Sequence, residues 1–161
     1  MDASRLTNNL YDAYSEAGFE VKRPPGTELF FCVKSDSQNA DLAPYVFMRV
    51  SPGGVLVFST AEVAAVLSKY GCSSEDLAYA LSIVGPEMWK SKITMEIKEG
   101  QIVAHTMIRL GFFSSLTSIY NETHDAMIDI RVAFSLVEQE IAFCLRYGRI
   151  FGLTGPDWTG K

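Results

Sequence analysis

The chain has 161 residues, 48% of them apolar, with a formal net charge of −5 and a pI near 5.0. Its basic residues are scattered rather than gathered, so a phosphate backbone is repelled on average and no nucleic-acid partner is expected. No run reaches the roughly 18 uncharged apolar residues of a membrane span, and none is expected to enter a bilayer.

The length suits one domain, residues 1–161, with a core that needs no staples and an irregular tail from about residue 149. Three cysteines, Cys32, Cys72 and Cys144, lie far apart and are odd in number, which fits a reducing compartment. The first ten residues carry no apolar run after their single arginine, so the expected location is the cytoplasm. Ten phenylalanines and seven tyrosines are many for a small chain, and some of that apolar surface is expected to meet a partner.

In chain order, Leu6, Leu10, Ala13, Tyr14 and Ala17 mark one face of a helix over residues 3 to 17, with Gly18 as its stop. Pro24, Pro25 and Gly26 break the chain, and ELFFCVK reads as a first strand. After the polar loop SDSQNAD, the stretch YVFMRVSPGGVLVFST reads as a hairpin turned by Pro52, Gly53 and Gly54. It does not alternate: Tyr45 and Phe47 share one face, Val46, Met48 and Val50 the other, and Val55 and Val57 oppose Leu56 and Phe58. Both faces are apolar, and something must cover the second.

Ser59 to Glu62 fits a capping box and predicts a helix carrying Val63, Ala64, Val66 and Leu67 to a stop at Gly71. Ser73 to Asp76 starts another, closed by Gly85 and Pro86. A second hairpin follows around Glu99 and Gly100, and residues 111 to 122 are ambiguous. From about Thr123 to Tyr147 runs the longest helix, with Met127, Ile130, Phe134, Val137, Ile141 and Cys144 as an apolar seam. Ile128, Val132, Leu136, Phe143, Leu145 and Tyr147 lie partly off that seam, an arc wide enough for a helix buried from two sides.

Chemistry has little to stand on. His105, between Val103 and Met107, reads as a structural residue rather than a ligand or base, since no metal-ligand spacing surrounds it. His124 has Glu122 and Asp125 beside it but reads as an exposed helix-start residue. Asp125 and Asp129, four apart on a helix face, could hold a cation, yet a solvated face explains them better. Phosphate-binding glycine patterns and hydrolase motifs are missing, so neither an enzymatic activity nor a metal or covalent cofactor is expected. Trp89, in PEMWKSK, anchors a partner or caps the core edge, and Trp158 in the tail is a further contact candidate.

The order of elements, with KSKITMEIKEGQIVAHTMIRL giving two strands after the helical region and before a closing helix, resembles the bacterial type III secretion chaperones and the YbjN-like domains. The expected fold is α+β, in the order α-β-β-β-α-β-β-α. An antiparallel five-stranded sheet carries an N-terminal helix, a middle helical segment and a long C-terminal helix. The resemblance implies a homodimer that grips an extended segment of a client protein through apolar surface, without catalysis. Tyr45, Phe47, Val55, Val57, Val63, Leu67 and Trp89 are the expected partner contacts, and residues 61 to 84 together with a partner are expected to cover the second sheet face. The alternative is a small-ligand pocket, sensory or enzymatic, between the sheet and the long helix, lined by Tyr45, Phe47, Arg49 and His105.

Overall fold

The computed structural model describes residues 2–34 and 43–148, so SDSQNAD, Trp158 and the rest of the tail lie outside the described residues. Helix α1 (Ala3–Glu16) forms where Leu6, Leu10 and Tyr14 recur on one face, each wholly buried, with Asp2 accepting the Ser4 N–H as its N-cap. Gly18 follows with a φ of +94°, the left-handed turn expected there.

Among the described residues the sheet has six strands rather than five: β1 (Val21–Lys22), β2 (Phe30–Lys34), β3 (Tyr45–Ser51), β4 (Gly54–Glu62), β5 (Thr94–Lys98) and β6 (Gln101–Arg109). Their order is β1-β2-β3-β4-β6-β5, with every neighbour antiparallel. The extra strand β1 is two residues long and too short to leave a periodic signal. Gly54 closes the first hairpin under the β6 backbone, where a Cβ would stand 2.5 Å from the Ile108 carbonyl oxygen, so no larger residue fits. Glu99 and Gly100, with φ of +52° and +76°, turn the second hairpin.

Ser59 does not begin a helix. Strand β4 runs on to Glu62 because all nine of its residues pair with β6, and the Ser59 hydroxyl donates to the Tyr45 carbonyl at 2.7 Å. Helix α2 (Val63–Tyr70) starts after it without a side-chain cap and ends, as expected, at Gly71 with a φ of +59°. Helix α3 (Ser74–Lys90) starts where expected, with a capping box between Ser73 and Asp76, but is not closed by Gly85 and Pro86. Leu77, Ala80, Val84 and Met88 are buried on one face, and that packing carries the helix through the proline. Helix α4 (Leu116–Phe143) absorbs most of the ambiguous stretch, capped by Ser115 and Ser118, and passes into a π-helical turn, Cys144–Gly148.

The seam of α4 is buried as its spacing requires: Met127, Ile130, Phe134, Val137, Ile141 and Cys144 all lie in the core. They meet Met48, Val50, Val55, Val57, Ala61, Ile102 and Ala104 on one face of the sheet. Helices α1 and α3 flank α4 on that face, and α2 joins them through buried Val66 and an ion pair of Lys69 with Glu138 at 3.9 Å.

One polar contact ties the two ends of the chain together. The Thr123 hydroxyl donates to the Tyr120 carbonyl at 2.9 Å, so the Tyr14 hydroxyl is the donor in its 2.7 Å bond to Thr123 Oγ1. Burial pushes the Tyr14 phenol well above its usual range. Tyr14→Phe is expected to cost about 1 kcal/mol in chemical denaturation. The phenol stays neutral in the fold, while in the unfolded chain it ionises near pH ~10. Its contribution is therefore intact below that pH and lost as pH rises further, so alkaline melting curves should fall more steeply for the native chain than for Tyr14→Phe.

Candidate functional site: the open face of the sheet

Strand register carries one row of side chains across all six strands on the face away from the helices: Lys22, Cys32, Phe47, Phe58, His105 and Thr94. A neighbouring row holds Phe30, Arg49, Leu56 and Met107. Phe47 stacks on Phe58 at 5.2 Å and on Phe30 at 5.7 Å, giving a half-buried aromatic centre. No helix among the described residues covers it.

The rim of this face is polar. Lys22 donates to the Tyr45 hydroxyl at 2.8 Å and lies 5.1 Å from the centre of that ring, and the bond pushes the ammonium pKa up. Glu20 holds Lys22 at 3.7 Å and Lys34 at 3.5 Å. At the far side His105 stands 3.4 Å from Glu96. Arg49 is exposed and has no ion-pair partner among the described residues. Beside it a shallow depression of about 550 Å³ opens between Phe30, Leu56, Phe58 and the segment Thr27, Glu28 and Leu29.

The expected contacts separate on this structure. Tyr45 and Phe47 lie on the open face, whereas Val55 and Val57 are wholly buried under the helices and cannot touch a partner in this fold. The hairpin residues that do share the open face are Leu56 and Phe58, one position along. Val63 and Leu67 are half-buried on α2, against the core rather than the open face, and Trp89, 72% exposed, stands on the last turn of α3. Residues 61 to 84 do not cover the second sheet face, because α2 and α3 pack on the same side as α1 and α4.

The pocket expected between sheet and long helix is not formed by its four residues. Tyr45, Phe47, Arg49 and His105 share the face away from α4, and Met48, Val57, Ala104, Met127 and Ile130 fill the space beneath the helix. Sequence reasoning also missed Phe112 and Phe113, an edge-to-face pair 97% and 92% exposed on the turn before α4, within the stretch it read as ambiguous.

Catalytic groups are not assembled among the described residues. His124 stacks on Tyr120 at 6.0 Å and meets the edge of Phe19 at 5.9 Å, which makes it an aromatic spacer. Asp125 and Asp129 line a cleft with Glu122, Lys92 and Arg109, and burial together with Asp125 raises the Asp129 carboxyl. No group of three or more His, Cys, Asp or Glu able to hold a metal occurs among the described residues. Burial pushes the Cys32 and Cys144 thiols up, away from thiolate chemistry. No described helix is long and apolar enough to cross a membrane.

No protein-family model matches this chain. No curated protein matches it either. Among solved structures, the crystal structure of YbjN from E. coli is similar to it, with a TM-score of 0.49 and 12% identity over 87% of this chain and 91% of the other.

Proposed function

We propose that this protein is a non-enzymatic, chaperone-like protein-binding module of the cytoplasm that acts as a homodimer and holds an extended segment of a client protein on its open sheet face. The observation that carries this reading is the stacked cluster of Phe30, Phe47 and Phe58, beside Leu56 and Met107, which no described helix covers. A broad, shallow, apolar face suits a chain laid across it better than a small molecule, which needs a concave site that buries most of its surface. Arg49, without a carboxylate of its own among the described residues, calls for an acidic residue in the client beside its apolar ones. The β5 edge is a poorer place for strand addition, since Glu96 and Lys98 guard it with charge.

Magnitudes set what the face can achieve. Full burial of a phenylalanine is worth about 1.5–3 kcal/mol, so completing the burial of three half-covered rings yields about 3 kcal/mol, roughly a hundredfold in affinity. The remainder must come from main-chain bonds and the charged rim, and micromolar binding is the expected range.

Two aspartate substitutions separate the faces. Phe47→Asp is expected to abolish capture of client peptides bearing paired aromatic and acidic residues while shifting the thermal transition by only a few degrees. Val57→Asp buries an unpaired carboxylate and is expected to abolish the transition itself. A peptide array probed with both variants and with Arg49→Glu checks this. Arg49→Glu should lose the acidic peptides first, and unchanged capture by Phe47→Asp would exclude the face as the client site.

A further inference from the structure

Exposed apolar side chains also stand on α4, away from the open sheet face. Asp125, Ile128, Val132, Ser135, Gln139, Ala142 and Arg146 recur at alternating steps of three and four along the helix and its π-helical extension. That is the spacing of a helix-pairing seam, on the side opposite the buried one. All but half-buried Ser135 are exposed, with Ile128 at 42% and Val132 at 45%. Ile128, Val132 and Ala142 are its apolar members, and packing on one sheet leaves them exposed.

The stripe is complementary to itself when reversed. Its amino-terminal end carries Asp125, its carboxy-terminal end Arg146, and small or uncharged residues lie between. Neither charged residue has an ion-pair partner among the described residues, Arg146 only lying over the Tyr147 ring at 5.6 Å. A parallel pairing would set aspartate beside aspartate and arginine beside arginine. An antiparallel pairing sets each aspartate within about one turn of the other copy's arginine, with Ser135 near the axis where two helices approach most closely.

We propose that this seam is the homodimer interface: two copies pair their α4 helices antiparallel about a two-fold axis near Ser135. Ile128 and Val132 of each copy then pack on the Gln139 to Ala142 stretch of the other. The groove between α3 and α4, lined by Ile83, Leu136 and Glu140, widens the contact beside the seam. The seam is about 31 Å long, which gives a contact at the small end of specific interfaces and hence a micromolar, salt-sensitive dimer. This inference rests on the preceding reading only for its expectation of a dimer, and it leaves both open sheet faces available to clients.

Sedimentation equilibrium of the full chain tests it, from about 1 to 100 µM at low and high salt, a range set by the small contact. The expected result is a two-chain mass at low salt that weakens as salt rises. Asp125→Arg and Arg146→Asp should each weaken association about tenfold or more, because each places two like-charge contacts in the symmetric pair. The doubly exchanged chain should recover association to within a few-fold. Val132→Glu should give a one-chain mass with an unchanged thermal transition and undiminished capture of client peptides. A native chain that stays monomeric throughout, a Val132→Glu dimer, or a double exchange that fails to restore association would overturn the interface. Loss of the dimer in Phe47→Asp but not in Val132→Glu would instead place the pairing on the sheet.

Discussion

Successive residues of a strand leave on opposite sides, so a sheet built from two-sided apolar strands must find cover for both of its faces. Here the helices supply cover for one. Helices α1, α3 and α4 close over Met48, Val57 and Ala104, and α2 joins them through Val66, while Phe30, Phe47 and Phe58 are left stacked on the other side. The proposed client site depends on that imbalance, among the described residues, between six strands and one helical layer. The nine-residue pairing of β4 with β6 fixes which residues go which way, since a slip of one position would exchange Val57 for Phe58.

The open face and the α4 stripe are different kinds of surface. The first is broad and aromatic, with rings already stacked on one another, so ordering it for a client costs little conformational entropy. The second is narrow, charged at its ends and carried on a helix whose other side is anchored in the core. Stability rests mainly on the covered face, where the Tyr14 to Thr123 bond joins the first helix to the last. Substitutions on the open face and on the α4 stripe can therefore change partners without unfolding the chain, and a substitution at Val57 cannot.

Much of the fold was legible because its signals were periodic. The α4 seam, the α1 face, the helix start at Ser73 and the two hairpin turns stand where spacing and turn chemistry put them. The misplaced boundaries have local causes. Ser59 to Glu62 satisfies a capping pattern, yet pairing with β6 outweighs it, and Pro86 is tolerated because Val84 and Met88 on either side are buried. Strand β1 was invisible at two residues.

The candidate site was half legible for a sharper reason. Lack of alternation in YVFMRVSPGGVLVFST revealed two apolar faces but could not say which one the helices would take, because both sets are similarly apolar. Tyr45, Phe47, Val55 and Val57 are all expected as partner contacts, although the hairpin register sends the valines inward. Within the hairpin Val46, Val50, Val55 and Val57 face the helices and Phe47 and Phe58 are left outside, but size alone does not sort the faces, since Phe31 on the neighbouring strand is buried on the helix side.

Oxidative footprinting of the purified chain, without added peptide, tests the central claim directly. Phe47, Phe58 and Met107 should be modified readily while Met48, Met127 and Phe31 are spared, because the first three lie on the open face and the others in the core. Protection of Phe47 and Phe58 to the level of Phe31 in the free protein would mean that the second face is already covered, and would contradict the account.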